Sequence, residues 1–451
     1  MIDNLEWAKE QWGECKLNNV LRTARAVEIG QHMVIKPEAS LPQQLASPDK
    51  LAAAYRLINS RRITMKQLLE PHLRHTLSAA AKKKVVLFIH DKTMLDFTTH
   101  QHTKNLGGIS CYKGQHGLIM GSVLAVEADQ RHVLGLGYVE MIVRSEKRGG
   151  LDRERRHKGT EGRVWENGVK AIGGNPHESS QWINVSDRES DIYEHMRSCQ
   201  EHGMGFVLRA KVNRALNQDT ETRLLDYARG LPANESYPAY EVEVDASSKH
   251  PKRKAKLVVS WSAVEIKAPQ SAIEQQPIVA CVVRVWEVNP PANVEAVEWI
   301  LLTSLQVQSA EDAKRVISYY ECRWMIKDFH MCLKTGCKVE SSQLDDGRDL
   351  QNLLGFALPI AVHLLQMRQI ARNAPDLPAQ QVVDPVMLRL IMARFRVSIT
   401  IAVSEFWLLV ARLGGYVANP RQHPPGWRTI WRGWQQLLLW AEGARLIQDD
   451  S

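Results

Sequence analysis

Cysteine is scarce in this chain and poorly placed for a structural job. Seven cysteines are scattered over 451 residues, an odd number without one C-x-x-C pair. That spacing argues against a disulfide framework and a zinc site, and for a reducing compartment. Cys322, Cys332 and Cys337 lie close together, and small hydrophobes packing in a core is the commoner role for such residues. Long apolar runs are missing too. No stretch reaches the roughly 18 uninterrupted apolar residues of a membrane span, and the nearest, LLGFALPIAVHLLQM, contains Pro359 and His363. The N-terminus, MIDNLEWAKEQW, is charged and amphipathic and lacks the apolar region of a signal peptide. There is no internal repeat and no low-complexity tract. These absences predict a soluble cytoplasmic protein with no membrane partner.

What is present is ordinary globular composition, 44% hydrophobic and 24% charged. A chain of 451 residues exceeds a single core, so two to four domains are expected. The net charge of +8 and a pI near 9.0 favour an anionic partner, most simply nucleic acid. A mildly basic enzyme without nucleic acid fits these bulk numbers equally well.

Residues 1–80 read as short helices. Apolar residues recur at helical spacing in LAAAYRLINSRRI and TMKQLLEPHLRHTL, punctuated by Pro37, Pro42, Pro48 and Pro71. Arg22, Arg25, Arg56, Arg61, Arg62 and the run Lys82-Lys83-Lys84 make this unit basic. Such a unit suits DNA docking, and a solvated basic face is the competing reading.

From Lys84 the period changes. VVLFIH (85–90) is a continuous apolar run ending in Asp91, as a buried central strand would. LIMGSVLAVE (118–127) and HVLGLGYVEMIVR (132–144) predict two more strands joined at Asp129-Gln130-Arg131. The charged stretch EKRGGLDRERRHKG leads into a helix near 160–173. WINVSD (182–187) is a further buried strand ending in an acid, Asp187, with DIYEHMRSC as its following helix. FVLRAK (206–211) opens a second β-rich region. There AYEVEVDA, KAKLVVSWSAVEI and PIVACVVRVWEV alternate as antiparallel strands with one exposed face, joined by loops such as SSKHPKRK. EWILLTS (298–304) is the next strand, and Ser309-x-x-Asp312 caps a long helix. The remainder is helical and Trp-rich, with Pro375, Pro378 and Pro385 marking a linker.

That long helix carries the densest cluster of candidate residues. Taken as one α-helix, Arg323, Lys327, His330 and Lys334 share a face, and Tyr320 extends the stripe by a turn. Arg, His and Lys in a row with Tyr suit phosphate oxygens. Asp91 and Asp187 each end a hydrophobic strand, where an α/β sheet faces its ligand crevice. Two carboxylates meeting there can hold divalent cations for phosphoryl transfer. Taken singly, a strand-end Asp more often caps a turn.

Several motifs in order make the pattern specific. VSDRESDIYE resembles the Asp-Arg-Glu-(Ala/Ser/Gly)-Asp-Ile motif of bacterial insertion-sequence transposases. FIHDKTMLDF resembles their first-aspartate strand, and YECRWMIKDFHMCLKTG their Tyr-Arg-Glu-Lys helix. EWILLTS, ARLGGY and AAAYRLINSRRIT also match. The chain resembles DDE transposases of the IS-four family, Tn-five type, from about residue 5 to 445.

The resemblance implies an α/β fold: a ribonuclease H-like catalytic core interrupted by a β-rich insertion, with helical N-terminal DNA-binding and C-terminal dimerisation regions. On that plan 1–80 binds DNA ends, 81–212 and 297–372 form the core, 213–296 is the insertion, and 373–451 dimerises. It also implies a bacterial, nucleoid-associated protein working as a homodimer on double-stranded transposon ends and target DNA. Its cofactor would be Mg2+ or Mn2+ in a two-metal site. Cut-and-paste chemistry would run through hydrolysis, a hairpin and strand transfer. Residue by residue, Asp91 and Asp187 match the first two catalytic, metal-holding acids. Tyr320, Arg323 and Lys334 match phosphate contacts around the site, and Arg209 another DNA contact. Trp299 matches the aromatic on which a flipped base stacks, although an apolar strand makes it core by default. Arg22, Arg25 and Arg56 match positions that read or clamp the transposon end. Glu189 and Asp191, beside Asp187, are read as structural ion-pair partners, with tuning of the metal site as the competing role. His330 is read as a phosphate contact or a carboxylate's partner.

One position breaks the pattern. Residue 327 should be the third metal-binding acid and is Lys. The exchange moves the site by two charge units and removes an oxygen ligand. A unit-charge contact at 4 Å and an effective dielectric near 20 is worth about 4 kcal/mol, so an ammonium there opposes an adjacent cation. Asp328 is the obvious substitute, but it points about 100° round the helix and is shorter than Glu. A second departure is Asn19-Val20-Leu21 before Arg22, where relatives often have Asp-Pro-Arg.

Overall fold

A computed structural model describes residues 4–110, 114–144, 160–177, 179–217, 222–244, 251–270, 276–373, 375–417 and 425–449. The expected charged stretch 146–159 and part of the SSKHPKRK loop lie outside the described residues.

The chain begins with five helices, α1 (Asn4–Trp12), α2 (Val20–Ile35), α3 (Leu41–Leu45), α4 (Pro48–Ile58) and α5 (Met65–Ala80). Their starts are set by local chemistry. Asn19 Oδ1 accepts from Leu21 N at 2.8 Å and caps α2, so the departure at 19–21 still supplies an N-cap. Thr64 and Gln67 form a capping box at the head of α5. Pro71, expected as a break, lies buried inside α5; tertiary packing outweighs the backbone bond it forfeits.

Ten strands of the described residues form one mixed sheet. They are β1 (Val85–Asp96), β2 (Gly107–Gly108), β3 (His116–Glu127), β4 (Val133–Ile142), β5 (Gln181–Ser186), β6 (Gly205–Arg209), β7 (Tyr240–Val244), β8 (Arg253–Ile266), β9 (Ile278–Glu287) and β10 (Glu298–Thr303). The order is β2-β3-β1-β5-β6-β10-β9-β8-β7, with β4 also paired to β3. β1 runs parallel to β5, and β5 to β6; β3 and β4 run antiparallel beside them. FVLRAK therefore corrects the expectation placed on it. It closes the parallel group, because β6 pairs in parallel with β5. The alternating strands β7 to β9 are antiparallel, as their pattern predicted, and continue the same sheet through β10.

Side chains of period two divide this sheet into faces. Leu87, Ile89, Ile183, Val185, Val207 and Leu301 point into one core. Val86, Phe88, Trp182, Phe206, Leu208 and Ile300 point into the other. The second core is covered by α6 (Thr160–Ile172), α7 (Tyr193–Glu201) and α8 (Leu224–Gly230). The first is covered by α5, α9 (Ala310–Glu321), α10 (Trp324–Met331) and α11 (Gly347–Asn373). The Gly347–Gln369 part of α11 is long and apolar enough to cross a membrane by composition, yet 78% of its most apolar window is buried inside the protein. The N-terminal unit docks on it: Trp12 Nε1 donates to Gly355 O at 3.2 Å, and Asn352 Nδ2 to Ile58 O at 2.8 Å. Helices α12 (Pro385–Phe395), α13 (Val403–Leu413) and α14 (Trp427–Asp449) end the chain.

Candidate active site

The site is built by register. Pairing of β1 with β5 ends at His90 and Ser186, so the next residues on each, Asp91 and Asp187, continue the same row. Pairing of β5 with β6 ends at Ser186 and Leu208, which puts Arg209 next in line. Arg209 is opposite Leu301 on β10, with Trp299 two residues away on the same face. On the other side Asp91 is opposite Ser122 of β3. Ser122, Asp91, Asp187 and Arg209 thus cross four adjacent strands on the face that α9 and α10 cover. Asp91 is not a strand end, as the apolar run had implied. β1 continues to Asp96 along β3, and Asp91 stands where β5 leaves it.

The covering segment is not one uniform helix. Ser309 and Asp312 cap α9 as expected, but α9 stops at Glu321 and α10 begins at Trp324. The joint is tightened by i→i−3 bonds, Arg323 N to Tyr320 O at 3.0 Å and Met325 N to Cys322 O at 2.9 Å. A π turn, Cys332–Gly336, follows α10. Tyr320, Lys327 and His330 nevertheless face the sheet.

Lys327 Nζ lies 2.5 Å from Asp91 Oδ2. Asp91 is buried, and Lys92 N donates to its Oδ1 at 2.8 Å. Burial pushes the Asp91 carboxyl above the usual carboxylate range. Lys327 pulls it back, and the nearby Asp187 charge adds to the rise. Asp187 Oδ1 accepts from Glu189 N at 2.9 Å, capping a short 3₁₀ turn. Asp328 is no substitute for the missing acid. It turns towards α11, where Arg368 Nη1 is 2.7 Å from its Oδ1, as the 100° step round the helix demands. His330 contacts neither a carboxylate nor the surface. It is buried, with Nε2 2.9 Å from Ser122 Oγ, and burial pushes its imidazole down to about 3.

Beyond Asp187 the site turns aromatic and basic. Trp299, partly buried, packs edge-on to Tyr320 with ring centroids 5.3 Å apart. Arg323 sits 5.7 Å over the Tyr320 ring and 5.0 Å over Trp324. Arg209 donates to Glu298 O at 2.6 Å, and burial holds its guanidinium below its usual value while Tyr320 opposes that shift. Lys334, on the π turn, is paired with Glu340 at 3.2 Å and bonds Met94 O. Glu189 pairs with Lys92 at 2.9 Å and Asp191 with Arg214 at 2.8 Å, both structural roles. In the N-terminal unit Arg22 donates to Leu17 O at 3.3 Å, Arg25 pairs with Glu28, and Arg56 is exposed on α4.

The donor set does not fit two divalent cations. Asp91 and Asp187 supply oxygens, but the third wall supplies an ammonium already in contact with Asp91. Among the described residues no three His, Cys, Asp or Glu side chains converge as a metal group. Sequence reasoning missed Ser122, whose place beside Asp91 depends on strand register alone.

Residues 4–63 match the family described as transposase DNA-binding. They comprise α1 to α4 and carry Arg22, Arg25 and Arg56. That match likens the N-terminal helices to a transposase DNA-binding domain. Among solved structures, the chain aligns with piggyBac transposase in a cryo-EM synaptic complex with hairpin DNA. Identity is 11%, coverage 97% of this chain and 85% of that one, and the TM-score 0.38.

Proposed function

We propose that this protein is an insertion-sequence transposase by architecture that holds transposon-end DNA but is impaired in cleaving it. The observation that carries this is the 2.5 Å contact between Lys327 and Asp91. It puts a tethered cation where a metal ligand is needed. The match over residues 4–63 supports end binding by the N-terminal helices. The row Asp91, Asp187, Arg209 on one sheet face, with parallel strands at its centre, supports a ribonuclease H-like core of 81–212 and 297–372 interrupted by 213–296. Dimerisation through 373–451 rests on the resemblance in sequence.

In this reading Lys327, Arg323 and Arg209 line a phosphate path, with Trp299, braced edge-on by the buried Tyr320, as a stacking surface worth roughly 1–3 kcal/mol per base. The ammonium attracts the DNA backbone and stays with Asp91, so binding is kept and hydrolysis is not supported. A second reading, an active cut-and-paste enzyme, is favoured by the otherwise complete motif set.

The deciding experiment compares this chain with Lys327→Glu on a cognate end in magnesium or manganese. Cleavage by the Glu form alone supports the proposal. Equal double-strand cleavage by both forms refutes it.

A further inference from the structure

We propose that Ser122 and His330 form a positioning pair that holds residue 327 over Asp91, whatever side chain position 327 carries. The inference rests on reading residue 327 as the third wall of the site. Two links tie α10 to the β1–β3 ladder at the same level. One is Lys327 to Asp91; the other is His330 Nε2 to Ser122 Oγ at 2.9 Å. They are neighbours on both sides. Asp91 and Ser122 are direct partners in the antiparallel register, and 327 and 330 are one helical turn apart.

The two links differ in kind. Lys327 has a side chain 41% exposed, so water screens its share of the ion pair. Ser122 and His330 are both buried, at 0% and 5% exposure. A buried donor left without its acceptor costs about 1–3 kcal/mol, so this bond resists displacement. It is also the link that does not depend on charge at 327. α10 needs such a pin because its own ends are weak. The joint at Cys322–Arg323 and the π turn at Cys332–Gly336 interrupt the regular helix on either side, leaving eight α-helical residues between them.

The test labels lysine amines of this 451-residue chain with acetic anhydride and follows each by peptide mass spectrometry. Lys92 and Lys334 serve as internal references, and neither DNA nor metal is needed. In His330→Phe, which cannot bond Ser122, labelling of Lys327 is expected to rise several-fold while the references stay unchanged. His330→Gln, which keeps a donor and an acceptor, is expected to restore protection. Ser122→Ala is expected to repeat the Phe result and replaces it if His330→Phe fails to fold. Unchanged Lys327 labelling in a folded His330→Phe or Ser122→Ala protein overturns the pin. A uniform rise at all three lysines also overturns it, because that is general loosening. Failure of end binding or of the cleavage comparison would leave these rates untouched, so the two proposals fail separately.

Discussion

Lys327 and Asp91 join α10 to β1 through an ion pair in which one partner is buried and the other is part-solvated. Removing the ammonium leaves a buried carboxylate without compensation. For a fully buried pair that costs about 3–5 kcal/mol; solvent around Lys327 brings the expectation for Lys327→Met to about 1–3 kcal/mol. The deficit depends on pH. Asp91 already has a raised carboxyl value from burial, and losing Lys327 raises it further. A carboxyl raised in the folded state favours folding below its unfolded value and loses that contribution as pH rises through the folded one. The gap between natural protein and Lys327→Met is therefore widest at pH 7 and narrows towards pH 5. Urea unfolding at the two pH values measures it, and a gap that widens on acidification contradicts the pairing.

Lys327→Glu has a different signature. Three carboxylates would then crowd one face, so the metal-free variant melts below the natural chain. Binding to the folded state alone stabilises it by mass action. Millimolar manganese is therefore expected to raise the melting temperature of Lys327→Glu and leave the natural chain nearly unmoved. An equal response in both proteins would place the cation elsewhere.

The histidines predict acid sensitivity. Burial holds His72, His195 and His363 down to about 4 and His330 to about 3, with His90 also well below its usual value. A depressed imidazole favours folding above its unfolded value, and that contribution is lost as pH falls towards the folded one. For the three rings held near 4, a shift of that size is on the order of 3 kcal/mol each. The melting temperature should fall steeply between pH 6.5 and 4.5, well before most carboxylates protonate. A flat profile across that window, followed by circular dichroism, would show that these rings are not buried neutral.

The strands and acids were legible because their signals are local. VVLFIH and WINVSD read as buried strands from composition, and each carries its acid at the residue where the β1–β5 pairing runs out. Lys327 could be placed beside those acids only through the family motif, which is a statement about sequence order. What the sequence withheld was register. Nothing in GLIMGSVLAV marks Ser122 as Asp91's neighbour, and nothing in MIKDFHM separates a helix face from one that ends in a π turn. His330 was expected at a phosphate or carboxylate because its partner lies 208 positions away in the chain. The 100° step already turns Asp328 off the face of Lys327, and Arg368 on a different helix, invisible in local sequence, fixes its direction.

The N-terminal unit offers a test of end binding that leaves the core alone. Gly30 on α2 lies against the ring of Trp12, and a Cβ there would stand 2.1 Å from Trp12 Cζ3. No rotation of a ring this buried relieves that overlap, because Trp12 also bonds Gly355 O and packs on Phe356 at 5.5 Å. Gly30→Ala must push α2 off α1, at about 1–3 kcal/mol for overpacking. α2 carries Arg22 and Arg25, so both arginines move relative to Arg56 on α4. The control is Gly443→Ala on α14, where a Cβ meets nothing within 4 Å and helix propensity gains about 0.5–1 kcal/mol. Gel-shift titration on a cognate end should show several-fold weaker binding for Gly30→Ala and unchanged affinity for Gly443→Ala. Equal affinity in all three proteins would take the end-binding surface away from α2.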